Sequence, residues 1–94
     1  MTILGRFTKQ PAEKESYSIE FEDDLVDADA IASATAVVEP AGLNLESTLV
    51  IGTRVKILVS GGGTVGTRHK ITVTAATDDG RILQDEFYVV IKEY

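Results

Sequence analysis

Two alternating runs joined by Asp79-Gly80 constrain this chain more than any other feature. In Thr67 to Thr77, the residues Ile71, Val73 and Ala75 fall at every second position, and in Ile82 to Glu93 the residues Phe87, Val89 and Ile91 do the same. A spacing of two places such residues on one face of a strand. Asp and Gly tolerate the positive φ of a tight β-turn, so Asp79-Gly80 predicts a hairpin. No amphipathic helix of useful length is present to pack on it, which argues against α/β architectures.

The same period recurs upstream. Tyr17, Ile19 and Phe21 alternate with Ser18 and Glu20, and Val55, Ile57 and Val59 alternate with Lys56 and Leu58. Ile31 to Glu39 reads as a strand rich in Thr and Val, with alanines that weaken the signal, and Pro40 with Ala41-Gly42 stops it. Leu43 to Ile51 is mixed and reads as one or two short strands before Gly52. The predicted fold is an all-β, immunoglobulin-like antiparallel sandwich of six or seven strands, with turn signals at roughly 8–12-residue spacing. Met1 to Lys14 is polar, holds Pro11 and shows neither period, so residues 1–14 are expected to form a flexible, extended N-terminal arm on a single domain at 15–94. Cysteine and tryptophan are both absent, so the antibody subtype, with its disulfide packed on a tryptophan, is excluded.

At 94 residues the chain is one small domain that buries about 60–65% of its unfolded surface, enough for one thin core. No apolar run of about 18 residues occurs, and Met1 to Lys14 lacks an apolar signal-peptide core, so neither a membrane span nor a signal peptide is expected. The net charge of -6 is uneven. Glu15 to Val50 contains nine acidic residues and no Lys or Arg, whereas Met1 to Lys14 is net +2 and Ile51 to Tyr94 is net +1. An acidic surface is repelled by phosphate backbones, so nucleic acid is not an expected partner. The asymmetry suits acidic-to-basic contact between copies or with another protein.

The constellations that carry chemistry elsewhere are incomplete here. The acidic loop Asp23 to Asp29 offers oxygens of the kind calcium takes, but no glycine follows Asp29 in EF-hand register; a solvated loop is the expectation, with calcium left open. Gly61-Gly62-Gly63-Thr64-Val65-Gly66 is followed by Thr67-Arg68, not by the Lys and Ser/Thr of a Walker loop, and reads as a hairpin turn between strands. His69, the only histidine, lacks a neighbouring nucleophile and acid and reads as an outward-facing surface residue. No catalytic, cofactor-binding or metal-binding residue is therefore expected, and the protein is expected not to be an enzyme. Tyr17, Phe21 and Phe87 share their strands' apolar register and read as core. Phe7 in the arm has no obvious core and is a candidate anchor on a partner. The glycine loop, Gly61, Gly62, Gly63, Thr64, Val65 and Gly66, is the second candidate contact.

Several segments in order carry a resemblance. Lys9-Gln10-Pro11-Ala12-Glu13 is followed by Tyr17-Ser18-Ile19-Glu20-Phe21, then by Asp29-Ala30-Ile31-Ala32 and Val38-Glu39-Pro40-Ala41-Gly42-Leu43. Val59 to Thr67 and Thr77-Asp78-Asp79-Gly80-Arg81 complete the series. Together, over Lys9 to Lys92, these resemble the small tailed-phage and prophage structural proteins of the fibre–tail adaptor type. Phe21 stands where that family often has tryptophan, and the loop holds an extra glycine. The resemblance implies an immunoglobulin-like sandwich built into a virion at the neck, tail or fibre attachment, with no enzyme activity and no cofactor. It implies synthesis in the bacterial host cytoplasm and portal, neck, tail or fibre proteins as partners, with self-association in the particle as a further option. Neither nucleic acid nor membrane is an expected partner. The alternative from another class is a carbohydrate- or surface-binding module, for which Tyr88 is the one exposed aromatic candidate.

Overall fold

A computed structural model describes residues 2–9 (2–6 as backbone), 12–21, 25, 29–62 and 64–92. Seven strands follow in chain order: β1 Thr2–Lys9, β2 Glu15–Glu20, β3 Ile31–Glu39, β4 Leu43–Ile51, β5 Arg54–Gly61, β6 Arg68–Thr77 and β7 Ile82–Ile91. They form two sheets, ordered β1-β7-β6-β3 and β2-β5-β4. In an immunoglobulin constant domain the second, fifth and fourth strands make part of one sheet, and the third, sixth and seventh make the other. This chain repeats both triplets. Its first strand lies on the outer edge of the seventh, and that pairing is parallel.

Alternation explains the core. Ile19 and Phe21 from the β2 segment and Val55, Ile57 and Val59 from β5 face Ile71, Val73 and Ala75 from β6 and Phe87, Val89 and Ile91 from β7. All are buried. Burying a Val, Ile or Phe side chain fully stabilises by about 1.5–3 kcal/mol, so the central strands β5, β6 and β7 hold most of the stability. The β6–β7 hairpin forms as its turn residues require. Gly80 has φ +85°, Gly80 N–H donates to Thr77 O at 3.0 Å, and Thr77 N–H donates to Arg81 O at 2.9 Å.

The structure settles one open reading and departs from the sequence pattern in three places. Leu43–Ile51 is one strand, one of the two counts its residues allow; a register shift between Leu45 and Ser47 flips the alternation and makes the period look mixed. Thr2–Lys9 lacks strand period yet forms β1, because an edge strand is held by backbone bonds to one neighbour and needs no second apolar face. Gly61–Gly66 is not a hairpin turn: β5 and β6 lie in different sheets, and the segment carries the chain between them. Period-two flanks are common to hairpins and to such crossings, so period alone does not separate them. His69 is not on the surface. It is 1% exposed and shares the inward parity of Ile71, Val73 and Ala75.

Candidate interaction surface

The sandwich measures 44 × 21 × 19 Å, and its connections gather at the two ends of the long axis. One end holds the β2–β3 loop, the Gly52-Thr53 turn and the Asp79-Gly80 turn. Phe21 N–H donates to Thr53 O at 2.9 Å, and the Thr53 hydroxyl bonds the Glu20 carboxylate. Asp29 Oδ1 accepts from Ala30 N–H at 2.9 Å and from Asp79 N–H at 3.1 Å, while Asp78 N–H donates to Ala30 O at 2.9 Å. Burial alone would raise the Asp29 carboxyl. Hydrogen bonds from Thr77, Asp79 and Ala30, with the charge of Arg81, outweigh it and hold the group below the ordinary carboxylate value. Asp29 is thus a clamp on the hairpin tip. Of the other acidic residues in this loop, Glu22, Asp23, Asp24 and Asp27 lie outside the described residues, and so does the calcium question.

The opposite end holds the glycine segment. Gly62 has φ +146°, and a Cβ there would lie 2.8 Å from Ile91 Cδ1, so both backbone conformation and space call for glycine. Gly66 N–H donates to Ile91 O at 2.7 Å, and Ile91 N–H donates to Thr67 O at 2.9 Å. The segment is therefore fastened to the end of β7. Val65 at its tip is exposed, and Gly63 lies outside the described residues.

β1 reaches this same end. Its last residue, Lys9, is fully buried, and its ammonium donates to Gly61 O; Lys92 N–H returns a bond to Lys9 O at 2.9 Å. Burial is the largest influence on the Lys9 ammonium and lowers its pKa against the raising charges of Glu13 and Glu15. Two residues earlier, the Phe7 ring packs 4.9 Å from Tyr17 and 5.7 Å edge-on to Phe87, between centroids, and remains 42% exposed. Phe7 closes the seam between the sheets while leaving part of its ring open. It is Lys9, not Phe7, that joins β1 to the glycine segment.

Two residues matter here beyond the predicted contacts: Lys9, to which the sequence assigns no role, and His69, which it places on the surface. Lys9 shares the strand face of Phe7, which is the one signal that marks it. His69 Nδ1 donates to Pro40 O at 2.8 Å and so pins the β3–β4 corner; its Nε2 is buried with no hydrogen-bond partner among the described residues. Tyr88, the exposed aromatic candidate, lies beneath the Arg68 guanidinium at 4.7 Å from the ring centroid.

A family model described as podophage GP4 fiber-tail adaptor protein gp77 matches residues 9–90. The chain belongs to that family. The match runs from Lys9 through Val90, so the gp77 family pattern spans the buried lysine, the glycine segment and both hairpins. A fibre–tail adaptor is a structural protein of the phage, in keeping with the resemblance that the sequence carries. No curated protein matches the chain.

Proposed function

We propose that this gp77-family protein is a non-enzymatic virion component that attaches fibre or neck proteins to the tail by protein–protein contact. The observation that carries the reading is the family match over residues 9–90, nearly the whole sandwich. The chain is made in the bacterial host cytoplasm and ends in the virion. Its partners are portal, neck, tail or fibre components, with further contacts between its own copies. The glycine end supplies one contact through Val65 and the open part of Phe7. Individually weak contacts suffice when copies are arrayed, because the second contact forms at high effective concentration.

Co-expression with the adjoining structural genes, followed by affinity purification, tests the reading. Retention of a portal, tail or fibre protein is the expected result. Binding to a glycan array with none of those proteins retained would replace it with the carbohydrate-binding alternative.

A further inference from the structure

The four sheet edges of this sandwich are not protected alike. β1 carries Arg6 beside an irregularity in its register, β2 carries Glu15 and Glu20, and β4 carries Glu46 beside its register shift. Charges and bulges of this kind keep exposed edges from pairing with other chains. β3 is different. From Ile31 to Val38 it holds no charge and no proline, and its side chains are small or β-branched. Its one irregularity lies between Ile31 and Ser33, which leaves Ser33–Glu39 in continuous register with β6. On its outer side it has no backbone ladder among the described residues.

Apolar side chains are exposed beside this edge on both outer faces of the sandwich, Val37 on one sheet and Leu49 and Ile51 on the other. β3 and β4 are both edges, packed beside each other through the Pro40–Gly42 corner. They carry Val37 at 57% exposure, Leu49 at 53% and Ile51 at 42%, with Val50 also exposed.

We infer that β3 is a self-pairing edge: two copies of this chain join β3 to β3 in antiparallel fashion, extending the four-stranded sheet across a two-fold axis. The composition identifies the occupant. In an isologous pair every side chain meets its own strand's sequence, so a charge near the axis faces its like. A foreign strand imposes no such limit and gains specificity from charge. An uncharged stretch is therefore what pairing with a second copy requires. With Thr35 at the axis, Thr35 faces Thr35 and Ser33 faces Val37 on the outer face, where Thr–Thr pairs are favourable. The two Glu39 residues fall at opposite ends of the ladder.

This names a surface for the contact between copies proposed above and does not depend on any other virion partner, so failure of the co-purification leaves it standing, and the reverse. Sedimentation velocity on the full chain, from micromolar to millimolar concentration, should show a monomer–dimer equilibrium. Thr35→Lys and Val37→Lys, at exposed positions, should abolish the dimer. Ile82→Lys, which removes the most exposed apolar side chain on another strand, should leave it intact. In the wild type, amide exchange in β3 should slow as concentration rises while that in β2 does not, a readout independent of any variant. A monomer at millimolar concentration, or a dimer lost in Ile82→Lys but kept in Thr35→Lys, would overturn the inference.

Discussion

The Lys9 ammonium is hydrogen-bonded to the Gly61 carbonyl across 52 residues of sequence, at the point where the first strand ends and the glycine segment begins. A long cationic side chain is thereby threaded into the seam of a thin sandwich, and it ties the rim strand to the connection between the sheets.

Replacing Lys9 separates its two roles. Both Lys9→Met and Lys9→Ala take the ammonium from the Gly61 carbonyl, but Lys9→Met keeps the apolar stem and Lys9→Ala loses it. An unpaired buried acceptor costs about 1–3 kcal/mol, and the lost stem adds to it, so Lys9→Ala is expected to lower urea stability more than Lys9→Met. The pH dependence has a definite sign. The folded-state pKa is depressed, so the unfolded chain holds more protons just below the ordinary lysine value, and stability rises with pH in that alkaline window. Lys9→Met should flatten that rise. A profile unchanged by the substitution would mean that the ammonium is not desolvated.

Asp29 gives a slope of the same sign in an acidic window. Its carboxyl is held below the ordinary value, so its clamp on the hairpin is intact above about pH 4 and is lost as pH falls through the depressed folded pKa. Asp29→Asn should destabilise the protein at neutral pH, and the gap to wild type should narrow in acid. Amide exchange at Asp79, whose N–H bonds Asp29, should quicken in the variant while the centre of β5 is unaffected.

The two ends of the glycine segment should respond differently to alanine. Both positions have positive φ, but a Cβ at Gly66 meets nothing within 4 Å, whereas at Gly62 it meets Ile91. Backbone strain costs about 1–3 kcal/mol at either position, and overpacking adds to it at Gly62 alone. Gly62→Ala should therefore be the more destabilising in chemical denaturation. Ile91→Val, which shortens the offending side chain, should restore part of the loss when combined with it and should do nothing for Gly66→Ala.

His69 offers a sharp contrast between surface and core. An exposed histidine is replaced within about 0.5 kcal/mol. A buried one that loses packing and its bond to Pro40 should cost about 2–4 kcal/mol on His69→Ala. Equilibrium unfolding measures the difference directly.

The fold was legible where apolar alternation runs unbroken: β5, β6 and β7, each with a strand on both sides, follow theirs to within a residue or two, and the edge strand Ile31–Glu39 has the bounds its residues announce. It was obscured where backbone bonding or a single irregularity decides the structure. β1 carries no pattern because its hold is the parallel ladder to β7, and β4 hides its period behind the shift at Leu45/Ser47. His69 was misread for a different reason. Its parity with Ile71 and Val73 marks it as inward, but a polar ring is expected outside unless a backbone carbonyl from a distant corner is there to receive it, and Pro40 is 29 residues away. The partner-facing residues are the least legible, because the chain carries only one side of each contact.

The parallel pairing of β1 with β7 also has a mechanical meaning. Thr2 lies opposite Asp85 and Lys9 opposite Ile91, so the two strands run alongside each other in the same direction. A tension applied between the start of β1 and the end of β7 acts along the strands and loads the ladder bonds in shear, all at once, instead of peeling them open in turn. In the proposed role between fibre and tail, a pull on the fibre reaches this protein, and the arrangement makes its outermost strand the part that resists.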